Sequence, residues 1–134
     1  MRTRHIVSTI LLLAVFTLIA GCSSKPHELE RGGLSAGDLM TSLLDRTMTT
    51  LGGVTSRISA EEALPALEGI NEEFEKLVDT KGDLSDKGQA DLSDQAAKSM
   101  PGLKDNWRRV NMQTYGDILR PVMESLIGNL TELL

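Results

Sequence analysis

The chain has 134 residues, 14 basic against 19 acidic, and a net charge near −5. That balance argues against nucleic acid as a partner, because phosphate binding needs a basic field. One cysteine excludes an internal disulfide, and aromatic residues make up only 3 % of the chain. The core must therefore be aliphatic, with Leu, Ile, Val, Met and Ala doing the packing.

The first 21 residues read as a leader. Arg2 and Arg4 precede an apolar run over residues 6–20, interrupted by Ser8, Thr9 and Thr17, and a small-residue approach of Ile19, Ala20 and Gly21 leads to Cys22. A basic segment, a short apolar segment and a small-residue cleavage site are the parts of a secretory signal. Spanning a bilayer takes roughly 20 apolar residues, so this run is short for a transmembrane helix. Leu-Ile-Ala-Gly-Cys at residues 18–22 resembles the lipobox of bacterial lipoproteins. The resemblance implies cleavage between Gly21 and Cys22 and acylation of the Cys22 thiol with diacylglycerol, with chains such as palmitate. Each buried lipid CH₂ contributes about 0.8 kcal/mol, so two or three chains anchor a protein permanently. Ser23, where inner-membrane lipoproteins carry Asp, implies by the same resemblance the periplasmic leaflet of an outer membrane. Removing 21 residues leaves about 113, enough for one domain. Two arginines leave with the segment, which deepens the net charge to about −7.

Residues 22–34 are expected to form a flexible tether. They are polar, contain Pro26 and the Gly32-Gly33 pair, and show no periodicity. At about 5–6 Å × √n, such a tether keeps the domain within roughly 20 Å of the bilayer.

Residues 35–134 read as four amphipathic helices. The first is expected over 36–51, with Ser35 as its cap, Asp38 completing an approximate capping box, and Gly52-Gly53 ending it through a left-handed glycine. Leu39, Met40, Leu43, Leu44, Met48 and Leu51 form its stripe. The second is expected to begin at a Ser59–Glu62 capping box, with Ile58 stapled onto Ala63. Ala63, Leu64, Leu67, Ile70, Phe74, Leu77 and Val78 form its stripe, Pro65 bends it, and it stops near Asp79. The stretch Ala63-Leu64-Pro65-Ala66-Leu67 with the helices after it resembles helical segments of bacterial envelope proteins of no known activity.

Ser85 is expected to cap a third helix reaching Met112, its face made by Leu92, Ala96, Met100, Leu103, Trp107 and Val110, with Pro101-Gly102 either kinking or splitting it. The fourth is expected from about Asp117, with Pro121 in its first turn costing no hydrogen bond. Its apolar face is the widest in the chain and suits the central helix of a bundle. The expected fold is all-α, a four-helix up-and-down bundle with proline-induced kinks in the second and third helices. Pro65, Pro101 and Pro121 each open a Pro-x-apolar-charged pattern, a faint sign of helix duplication.

Chemistry is sparse. Beyond the leader the only histidine is His27, in the tether, so neither haem ligation nor a histidine base is available in the bundle. Met40, Met48, Met100, Met112 and Met123 sit at helical spacing and read as core filler. Asp83, Ser85, Gly88, Asp91 and Asp94 match some positions of a calcium loop, but Lys87 puts a cation among the ligands. No catalytic residue, cofactor or metal is expected, and the chain is not expected to be an enzyme.

Charge offers more. The second helix is acidic and the third turns basic at its end, so the two are expected to set opposite charges against each other. Trp107, Arg108 and Arg109 form a candidate patch for anionic lipid headgroups or an acidic protein of the envelope. The functional expectation is a lipid-anchored, non-enzymatic interaction or structural module of the cell envelope. The alternative is a carrier or sensor of a small apolar ligand, held near Ala96 and Gly102.

Overall fold

The computed structural model describes residues 35–134, and the expected leader, cleavage site, Cys22 and tether lie outside the described residues. The described chain is all-α, a four-helix bundle. Its helices are α1 (Ala36–Gly52), α2 (Arg57–Thr80), α3 (Asp86–Asn111) and α4 (Gly116–Glu132), with one 3₁₀ turn, Lys81–Asp83, between α2 and α3.

Capping explains where the helices begin. Ser35 and Ser85 are the N-caps expected, their hydroxyls accepting from the backbone N–H of Asp38 and Gly88 at 3.2 and 3.1 Å. The start of α2 is a correction. Its N-cap is Ser56, whose hydroxyl accepts from Ser59 N–H at 3.2 Å while Ser59 Oγ accepts from Ser56 N–H at 2.9 Å. This reciprocal serine box adds a turn to the helix and lets Ala60 reach the core fully buried. Ile58 consequently lies 69 % exposed and staples nothing.

Two other ends differ from expectation. Gly53 caps α1 at φ −80°, a right-handed conformation, with its N–H shared between the carbonyls of Thr49 and Thr50. The left-handed glycine is not used; burial of Val54 turns the chain instead. Helix α4 starts one residue early, so Pro121 is past the first turn and deprives the Asp117 carbonyl of an intrahelical donor. Pro65 and Pro101 do the same to Glu61 and Ala97. All three prolines and all three carbonyl-bearing residues are exposed, on the side of each helix where water can satisfy such a carbonyl. Helix α3 runs unbroken through Pro101.

The stripes pack as one core. Every α3 residue expected to face inward is buried, from Leu92 to Val110. In α1, Thr47 rather than Met48 is fully buried, its hydroxyl donating to the Leu43 carbonyl at 2.8 Å. The wide face of α4 is only partly used: Leu119, Met123, Leu126 and Leu130 are fully buried, while Ile118 and Ile127 sit at its edges.

The helices run alternately up and down, but their neighbours are particular. The most extensive interfaces are α2–α4 and α1–α3, followed by α1–α2 and α3–α4. Met48 and Leu51, late in α1, bond to Asn106 and Arg109, late in α3, so that pair is parallel. Asn71 and Lys81 reach Asn129 and Glu132, so α2 and α4 are parallel too. The molecule is thus two antiparallel hairpins, α1–α2 and α3–α4, laid against each other. Helices α2 and α3 are consecutive yet diagonal, and residues 81–85 cross the end of the bundle between them. No helix is central, because α4 occupies a corner opposite α1.

The turn between α3 and α4 sets one strict requirement. A Cβ on Gly116 would lie 2.7 Å from Asn111 Cα and 2.8 Å from the Asn111 and Val110 carbonyl oxygens, all backbone atoms. Gly116→Ala should therefore destabilise by about 1–3 kcal/mol in urea unfolding, as overpacking does. Gly128, inside α4 with nothing within 4 Å of its would-be Cβ, should respond the opposite way. Gly128→Ala should stabilise by about 0.5–1 kcal/mol in the same measurement, and a loss there would contradict an exposed helical glycine.

Candidate functional site

The expected patch does not assemble. Trp107, Arg108 and Arg109 are consecutive on a helix and so point in three directions. Trp107 is buried, 8 % exposed, in the core. Arg108 is exposed and stands 3.7 Å from Asp105 on its own helix. Arg109 turns to α1, where one guanidinium nitrogen donates to the Leu51 carbonyl at 2.7 Å and the other to the Val54 carbonyl at 3.1 Å. It is the C-cap that α1, with no basic residue in its last turn, does not supply for itself.

The expected pairing of α2 charges with α3 charges is also absent from the described ion pairs, since those helices are diagonal. Arg46 on α1 pairs with Glu73 on α2 at 3.1 Å. The other pairs are local: Arg57–Glu61, Lys87–Asp91, Arg108–Asp105 and Arg120–Asp117. Exposed pairs of this kind contribute about 0–1 kcal/mol each.

The segment considered as a calcium loop is not a loop. From Asp86 onward it is helix, Ser85 Oγ is committed to the Gly88 N–H, and Lys87 Nζ holds Asp91 Oδ2 at 2.6 Å. Among the described residues no three His, Cys, Asp or Glu side chains converge as metal ligands. The methionines divide: Met40, Met100 and Met123 are buried in the core, whereas Met112 is 77 % exposed at the α3–α4 turn. In the region expected to hold an apolar ligand, Ala96 is fully buried and Gly102 is exposed.

The most built polar arrangement is the α2–α4 seam, which periodicity alone did not reveal. Asn71 occupies a core-facing position of α2 and is only 9 % exposed. Its Nδ2 donates to Glu75 Oε1 and to Ser125 Oγ, both at 3.1 Å, and its Oδ1 accepts from Asn129 Nδ2 at 2.9 Å. Glu68, Glu72 and Glu75 flank it from α2, with Pro121 and Val122 opposite, around an open cleft. The sequence does carry a signal for it: Asn71 interrupts the apolar stripe beside Ile70, and Asn129 beside Leu130 does likewise. A second open cleft lies between α1 and α2, lined by Asp45, Arg46, Thr49, Thr50, Ala66 and Ile70. Every polar atom of the Asn71 amide is engaged with a neighbouring side chain.

Among the described residues no helix is long and apolar enough to cross a membrane. No family model, curated protein or solved structure matches the chain.

The two arginines beside Trp107 should separate cleanly in unfolding experiments. Arg109→Ala removes hydrogen bonds from a charged donor to two carbonyls and should cost about 1.5–3 kcal/mol. Arg108→Ala should stay within about 0.5 kcal/mol of the parent, as exposed sites do. Equal effects would contradict the assignment of Arg109 as an interhelical cap. Asn71→Ala strands Asn129 Nδ2 and Ser125 Oγ and leaves a void, and should cost about 1–3 kcal/mol.

Proposed function

We propose that the chain is a lipid-anchored, non-enzymatic structural or interaction module of the bacterial cell envelope. The observation that carries this is the order of parts at the start of the sequence: two arginines, an apolar run, and Leu-Ile-Ala-Gly-Cys ending on the only cysteine. In this reading the peptide bond before Cys22 is cut, and the thiol takes the lipid. Residues 22–34 then lead from the bilayer to the cap of α1 at Ser35. With Ser23 after the lipidated residue, the location is the periplasmic leaflet of an outer membrane.

Support for a non-catalytic module comes from how the polar groups are used. Arg109, Lys81 and the Asn71 network all join one helix to another. An envelope protein is the kind of partner such a module meets, and the net negative charge disfavours nucleic acid.

Cys22→Ser in the full-length chain tests this reading. Expected outcomes are loss of labelling by a palmitate analogue, accumulation of the uncleaved form, and loss of the mature, membrane-bound protein. Unchanged labelling would overturn it, as would a normally processed, membrane-bound variant.

A further inference from the structure

We propose that the surface between the two hairpins is also a recognition surface for a second copy of this chain, which enters by exchanging hairpins. The inference stands on the described bundle and does not depend on the lipid anchor.

Three observations carry it. First, the two most extensive interfaces, α2–α4 and α1–α3, both lie between hairpins and not within them. A hairpin alone exposes the apolar faces that the other hairpin covers. Second, the polar bonds that make that match specific run between hairpins. Asn71 bonds Ser125 and Asn129, Lys81 Nζ donates to the Glu132 and Leu133 carbonyls at 3.3 and 3.2 Å, and Arg109 holds Leu51 and Val54. The Asn71 and Arg109 bonds can form equally well with the hairpin of another copy.

Third, residues 81–85 are the single covalent link between hairpins, and they cross a diagonal. With neighbouring axes about 8–10 Å apart, the diagonal of the bundle is roughly 11–14 Å. The link covers it with a 3₁₀ turn, Leu84 and Ser85. Gly82 in that turn has nothing within 4 Å of where its Cβ would be, whereas Leu84 in the same link is buried, a contact that an exchanged dimer has to restore. An opened link directs α3 away from its own α2 and towards a second molecule. Such exchange makes a closed dimer from contacts the monomer already has.

Chain closure competes through an effective concentration in the millimolar range, so monomer dominates at micromolar protein and exchange grows with concentration. Removing Lys81, Gly82 and Asp83 leaves three steps from Thr80 to Asp86, at most about 11 Å, the lower end of the diagonal. The shortened link disfavours closure within one chain and so favours exchange.

The test uses two full-length chains, both carrying Cys22→Ser. One also carries Asn71→Cys and the other Ser125→Cys, positions whose side chains touch across the α2–α4 seam. Co-expressed, extracted in detergent and oxidised with copper–phenanthroline, they should give a disulfide-linked dimer. Its share should increase with concentration, and rise roughly tenfold or more when residues 81–83 are deleted from both chains. A single chain carrying both cysteines should form the bond internally, which confirms that the pair can close. The proposal fails if that internal bond forms while the mixed chains give no linked dimer at any concentration. Should the shortened chain lose its helical circular dichroism, the concentration series with the complete link decides in the same way.

Discussion

Asn71 is a primary amide largely withdrawn from water at the α2–α4 seam, beside an open cleft, and an amide there is stable only when its hydrogen-bonding groups find partners. It has two donors and one acceptor, and α2 and α4 supply Glu75, Ser125 and Asn129 for them. Sliding α4 along α2 by a residue would keep most of the leucine contacts but break that set. Leu, Ile and Met are forgiving of register; a buried amide is not. The set forms with α4 parallel to α2, and with α4 beside α2 the third helix lies diagonal to the second. Once α2 takes α4 as its closest partner, the link after Thr80 has to carry the chain across the bundle to α3.

The helix ends are stabilised on the same plan. Helices α1 and α4 carry no basic residue in their last turns, so the partial negative charge of their terminal carbonyls is not met locally. Arg109 from α3 meets it for α1, and Lys81 at the end of α2 meets it for α4. Each cap lies across a parallel interface, where two C-termini sit side by side and one residue can serve its neighbour. These bonds tie the hairpins to each other in addition to satisfying backbone groups. The exposed ion pairs are mostly local and weak by comparison.

The prolines show how little the bundle gives up for them. An interior proline removes one hydrogen bond and crowds the carbonyl four residues earlier. At Pro65, Pro101 and Pro121 both the ring and that carbonyl are on the wet side, so the core stripes continue unbroken past each one. Gly116 is the opposite case, a position where the backbone of the preceding helix leaves no room for even a methyl group.

Much of this bundle is legible in the amino-acid sequence. The spacing of apolar residues foretells four helices, the complete inward face of α3, and two of the N-caps, because these depend on residues within a few positions of one another. Local rules mislead where two local solutions compete: Ser56 and Ser59 cap each other, and that outweighs the Ser59–Glu62 box. Tertiary structure alone decided which helices are neighbours, since every amphipathic stripe fits several partners about equally well. That choice turned Arg109 into a cap for α1, left Arg108 in solvent, and separated the α2 acids from the α3 bases. It also gave Asn71 its meaning, because an amide among leucines is a flaw until three partners from two helices surround it. The proposed reading of Leu-Ile-Ala-Gly-Cys as a lipobox, by contrast, rests on the sequence by itself, since such a motif acts as a linear segment and not through a fold.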